Sequence, residues 1–118
     1  MKFDVFVEYA SKYDKRNKFE KRILKNISSD VPSFYSFYDP IDVEVDYKGS
    51  ALSFVSFAEL NKMKQRYAYL DADCVFAVSN GDPFFTKKGA VYTCAHGEQI
   101  PDFEKQADSF EEFLDLIF

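Results

Sequence analysis

The stretch Asp42-Val43-Glu44-Val45-Asp46-Tyr47 alternates acid and apolar residue without a break and runs into Lys48-Gly49. Successive side chains on a strand point to opposite faces, so the pattern puts three carboxylates in water and three apolar groups against a core. Lys48-Gly49 turns the chain, and Ala51–Val55 returns as the hairpin partner. The chain is thereby committed to an antiparallel hairpin with one wet face, and the remaining segments must supply the other face with its cover.

They have the means. At 118 residues the chain is the size of one domain, taken as residues 1–118. Such a length buries roughly two-thirds of its unfolded surface, which supports a core without disulfide or metal. Fourteen Phe and eight Tyr, with no Trp, supply large rigid core side chains. A net charge of -5 suits a soluble protein and argues against a general nucleic-acid binder. The charge is uneven: Lys15, Arg16, Lys18, Lys21, Arg22 and Lys25 gather near the N-terminus, while Asp30–Glu59 holds only Lys48 as a base. Either a solvated helix face or a steered partner accounts for that.

Helical spacing of Phe3, Phe6, Val7, Ala10 and Tyr13 predicts a first helix, and Phe19, Ile23, Leu24 and Ile27 a second. Pro32 starts a short helical turn rich in aromatics (Phe34, Tyr35, Phe37, Tyr38), and Asp39-Pro40 breaks the chain again. Ser56 with Glu59 reads as a capping box opening a helix whose stripe is Leu60, Met63 and Tyr67. Strands follow at Cys74–Val78, Phe84–Thr86 and Ala90–Ala95. Ser109 with Glu112 is a second capping box, opening a closing helix on Phe110, Phe113, Leu114 and Ile117. The order implies an α+β fold: an antiparallel sheet packed with N-terminal helices, one inserted helix and a C-terminal helix.

Acid within Met1–Glu8 argues against a secretory signal, and nothing approaches the ~18 apolar residues of a membrane span. We therefore expect a cytoplasmic protein whose Cys74 and Cys94 are buried or half-buried thiols without a disulfide. Cys94 and His96, two apart, are the one pairing that suggests thiol or metal chemistry. A zinc site needs three or four ligands, usually from paired spacings that are absent here. A nucleophilic Cys needs an arranged base and a third group to orient it. No catalytic, cofactor-binding or metal-binding residue is assigned. Asp42, Glu44 and Asp46 form either an ordinary solvent face or an acidic docking strip, and Asn80 and Asp82 are either turn residues or polar contacts for a partner.

Taken in order, several segments resemble the SUKH superfamily, the cell-wall synthesis regulator and toxin-immunity group. Val31–Tyr38 is similar to the aromatic-rich short helix after a proline that opens many of its domains. Phe76–Pro83 resembles the central strand and its turn, and Gly89-Ala90-Val91-Tyr92 with His96 the following strand. Ala107–Leu114 matches the closing A-x-S-F-x-x-F-L helix. The likeness covers residues 19–118. It departs from the pattern where Asp39-Pro40 replaces a glycine-rich stretch. The resemblance implies a non-enzymatic α+β domain that binds protein and no cofactor. Many bacterial members are immunity proteins that neutralise a cognate toxin, and others are regulators acting through protein contacts. Many such toxins are nucleases with basic clefts, which the row Asp42, Glu44, Asp46 would match.

Overall fold

The Asp42–Tyr47 alternation folds as its pattern demands: Val43, Val45 and Tyr47 are buried while Asp42, Glu44 and Asp46 are exposed. The computed structural model describes residues 2–97 and 100–118. In chain order these form α1 (Lys2–Tyr13), β1 (Lys18–Lys21), a 3₁₀ turn (Ser33–Ser36), β2 (Tyr38–Tyr47), β3 (Ser50–Phe54), α2 (Leu60–Arg66), β4 (Cys74–Ser79), β5 (Asp82–Lys87), β6 (Ala90–Thr93), β7 (Glu104–Ala107) and α3 (Phe110–Asp115). Further 3₁₀ turns at Phe57–Glu59 and Ala68–Leu70 flank α2. The seven strands lie side by side in chain order, every neighbour antiparallel. The fold is α+β.

Three hairpins turn on the same two-residue device, Lys48-Gly49, Asn80-Gly81 and Lys88-Gly89, with both residues at positive φ. That is the type I′ geometry, whose twist matches that of the flanking strands. Alternate turns of a meander fall at the same end, so Lys48-Gly49 and Asn80-Gly81 are neighbours.

One sheet face carries the main core. Val43, Val45, Leu52, Phe54, Phe76, Phe84 and Val91 pack there against Phe3, Phe6 and Ala10 of α1 and Phe110, Phe113 and Leu114 of α3. Phe34, fully buried in the 3₁₀ turn, meets Phe3 edge to face at 5.4 Å and lies 6.0 Å from Phe110. Phe76 meets Phe110 at 4.9 Å and Phe113 at 5.5 Å, both edge to face. Such pairs contribute about 0.5–1.5 kcal/mol each beyond area burial. A β-bulge sets Phe76 and Ala77 together opposite Phe84, which turns both toward this core.

The opposite face is covered only in part. Tyr67, Leu70, Ala72, Val75, Phe85 and Cys94 form a second, smaller cluster beneath the end of α2 and the turn that follows it. Met63 touches both clusters, so α2 wraps from one face to the other. The expected Leu60, Met63 and Tyr67 stripe is therefore real, but its residues serve different cores.

Four expectations are corrected. Residues 19–27 form no helix: Lys18–Lys21 is an edge strand paired to β2, and Ile23 is 77% exposed. The reason lies in Asn17 and Arg22. The Asn17 side chain bonds both the N–H and the C=O of Glu44, mimicking a peptide of the ladder, and also donates to the Ala10 carbonyl at the end of α1. The Arg22 guanidinium donates to the Tyr35 carbonyl, pairs with the buried Asp39 at 3.3 Å and lies over the Phe57 ring. These anchors outweigh a helical spacing of four apolar residues.

Asp39-Pro40 does not break the chain but lies inside β2. β3 pairs with β2 only from Val43 onward, so Pro40 sits where the strand has a single strand neighbour and its missing N–H is tolerated. Ser56 makes no side-chain cap; Asp39 reaches over from β2 and takes the Phe57 N–H at 2.8 Å instead. The strand expected over Ala90–Ala95 ends at Thr93, so Cys94 and His96 lie beyond it. β7 was not anticipated from the sequence.

Other readings hold. α1, the 3₁₀ turn after Pro32, the β2–β3 hairpin and the closing helix stand as expected. Ser109 Oγ accepts the Glu112 N–H at 3.1 Å, while Glu112 returns a bond to the Asp108 N–H.

Candidate protein-binding surface

The acids of β2 occupy the part of the sheet that α2 leaves bare. Their neighbours across the hairpin are Ala51, opposite Asp46, and Ser53, opposite Glu44, both exposed. Small side chains on β3 leave the Glu44 and Asp46 carboxylates uncovered from that side. The strip is not uniformly acidic. Lys18 lies opposite Asp42. Arg16 is paired with Asp14 at 2.7 Å; that carboxylate first, then Glu44 and Asp42, hold its guanidinium more firmly charged. Asp46 accepts the Gly49 N–H at 3.4 Å, which ties it to the turn. Asp42 and Glu44 thus both lie near bases at the β1 edge, while Asp46 is held at the turn.

Asn80 and Asp82 stand at the Lys48-Gly49 end of the sheet. Together with Tyr47, Lys48, Glu104 and Gln106 they line an open pocket of about 220 Å³. Asn80 is exposed in its turn at φ 51°. Asp82 Oδ1 accepts the His96 backbone N–H at 3.0 Å and lies 2.7 Å from His96 Nδ1. The structure therefore brings Asp46, Asn80 and Asp82 to one end of the sheet and leaves Asp42 toward the other.

The Asp82–His96 pair is the half of a catalytic arrangement that orients a base, so the thiol two residues earlier needs placing. Cys94 is buried among Tyr67, Leu70, Ala72, Val75 and Phe85 in the second cluster, while His96 is exposed. The visible role of the pair is packing. A Cβ at Gly81 would lie 2.8 Å from His96 Cε1, and Gly81 sits at φ +86°, so only glycine fits beneath the ring. The Tyr67 hydroxyl donates to the Gly81 carbonyl at 2.9 Å, and burial pushes that phenol above its ordinary range. The turn Asn80–Asp82 is thereby clamped from both sides.

Cys74 lies in the main core and Cys94 in the smaller one, on opposite sheet faces. Burial pushes the Cys74 thiol up to about 12, which keeps it protonated and unreactive. Among the described residues no group of three or more His, Cys, Asp or Glu is placed to hold a metal ion, and no helix is long and apolar enough to cross a membrane.

Sequence reasoning missed Arg22 and Asp39, which it counted as helix solvation and chain breaking. No local signal marks a partly buried ion pair between residues seventeen apart. Comparison with family models, with curated proteins and with solved structures found no match for this chain.

Proposed function

We propose that this chain is a non-enzymatic protein-binding domain of the SUKH type, acting as an immunity protein that neutralises a cognate bacterial toxin. The observation that carries the reading is the bare part of the sheet, where exposed carboxylates of β2 stand beside only Ala51 and Ser53 of β3. Rigid strands hold these charges at fixed two-residue spacing, so a complementary basic surface meets them without an ordering cost. The SUKH likeness of the ordered segments supplies the toxin as the class of partner, and a nuclease with a basic cleft suits the charge best. Such charge pairing speeds encounter and selects the partner, while neighbouring contacts supply the rest of the affinity.

The test has two steps. The tagged chain is used to capture its partner from the source cells, and the captured protein is then expressed with and without the chain. Rescue of growth supports toxin neutralisation. A partner that is harmless when expressed alone contradicts it and leaves a regulatory interaction domain as the function.

A further inference from the structure

The sheet ends at β1, whose outer side has no strand neighbour. Inward pairing continues past the strand: the Arg22 N–H donates to the Phe37 carbonyl at 2.8 Å and the Leu24 N–H to the Ser36 carbonyl at 2.9 Å. Backbone groups of an extended chain alternate in direction, so with Glu20, Arg22 and Leu24 turned inward, those of Phe19, Lys21 and Ile23 turn outward. Beyond the β1–β2 pairing, no group among the described residues accepts the Lys21 or Ile23 N–H.

The side chains along this edge supply a second observation. Lys15, Lys18, Lys21 and Lys25 are exposed, Glu20 is the one acid between them, and none of the four lysines makes an ion pair among the described residues. Of the acids on neighbouring elements, Asp42 lies opposite Lys18, and Asp4, near Lys21, accepts the Tyr38 hydroxyl. Lysine on a free edge commonly guards against association, but Ile23, 77% exposed beside Lys21, works against that role. The other edge differs: β7 is four residues long, and its Lys105 is already paired with Asp108.

A second copy of the chain fits this edge poorly. A two-fold axis at Lys21 sets Lys21 against Lys21, and an axis at Ile23 sets Lys21 against Lys25; like charges directly opposite are destabilising. An axis at Phe19 calls on Asn17, whose N–H already bonds the Asp14 carbonyl. We propose instead that an extended acidic segment of a partner polypeptide adds to β1 as a further strand. Its backbone bonds Phe19, Lys21 and Ile23, with a carboxylate opposite Lys21 and an apolar side chain opposite Ile23. Main-chain bonds then supply affinity, and the alternating side chains select the segment. The residues differ from those of the acidic strip on β2, so either site can fail alone.

The experiment titrates the full chain, labelled for amide NMR, with a capped heptapeptide that has glutamate at its centre, valine two residues to either side and threonine elsewhere. In the free chain the Lys21 and Ile23 amides should exchange rapidly with solvent, and those of Arg22 and Leu24 more slowly. Saturating peptide should shift the Phe19–Ile23 amides and slow exchange at Lys21 and Ile23. N-methylation of the central glutamate should abolish binding, because the bond to the Lys21 carbonyl is lost. Lys21→Glu, at an exposed position, should weaken binding about fivefold or more and favour a lysine-centred peptide. Absence of saturable shifts at about 10 mM peptide, which would fill even a millimolar site, overturns the proposal. So does undiminished binding of the N-methylated peptide, which would make the contact one of charge without strand addition. Protection of Lys21 and Ile23 that rises with protein concentration in the free chain would make a second copy the occupant, and overturns it equally.

Discussion

The two faces of the sheet solve the same problem unequally. On one, residues from Phe3 to Ile117 converge, and rings from α1, the Ser33–Ser36 turn, the sheet and α3 lock edge to face. On the other, the buried residues run only from Tyr67 to Cys94, and the half beneath β2 and β3 is left to water. The first face joins the termini to the centre of the chain and so holds the whole fold. The second is a local structure whose incompleteness leaves a charged surface free for a partner. Stability and the proposed function are thus assigned to opposite sides of one sheet.

Deleting the same side chain on each face tests that division most severely. Phe113→Ala, and likewise Phe34→Ala, should cost about 3–5 kcal/mol in urea unfolding, because each leaves a cavity among several elements. Phe85→Ala should fall at or below the low end of that range, with near-native amide protection kept in α1 and α3. An equal cost with global loss of protection would show that the faces are not energetically distinct.

How much of this was legible in the sequence follows the same division. The alternation of Asp42–Tyr47, the apolar run at Cys74 and the Ser109 cap encode their own geometry locally, and each was read correctly. Residues 18–27 were misread because the decisive partners, Glu44 for Asn17 and Asp39 for Arg22, are distant in sequence. β7 was missed because Glu104-Lys105-Gln106-Ala107 is an edge strand without apolar alternation. It is held by backbone pairing to β6 and by the Tyr47 hydroxyl donating to Gln106. The candidate acids were visible, yet the tie between Asp82 and His96 and the bases flanking Asp42 appear only in three dimensions.

The clamp at the Asn80–Asp82 turn is the next largest effect. Gly81→Ala should destabilise by about 1–3 kcal/mol, combining backbone strain at positive φ with the clash against the imidazole. In Gly81→Ala, His96→Ala the steric part should disappear, giving a favourable coupling in a double-mutant cycle. Strict additivity would mean that the ring does not rest on Gly81.

The two serines offer a finer comparison. Ser109→Ala should cost about 1 kcal/mol through its lost cap, whereas Ser56→Ala should stay within about 0.5 kcal/mol, because Asp39 does that work. Comparable losses at both sites would contradict the distinction.

The smallest effect is in the pH dependence. Bonds from Arg16 lower the Asp14 pKa from 3.8 to about 2 in the folded chain. A lowered carboxylate stabilises above its unfolded value and loses that contribution as pH falls toward the folded one. Acid titration should show wild type losing slightly more stability than Asp14→Asn between those two values, and the group's exposure keeps the difference small. Superimposable profiles would remove the pair from the account.

The central claim is that the bare acidic face recognises the partner and leaves the fold unaffected. The direct measurement is partner affinity for the triple variant Asp42→Asn, Glu44→Gln, Asp46→Asn at two salt concentrations, alongside its melting temperature. The account predicts an unchanged melting temperature, binding weakened by about tenfold or more, and a salt dependence seen in wild type that largely vanishes in the variant. Undiminished affinity in the triple variant would contradict it.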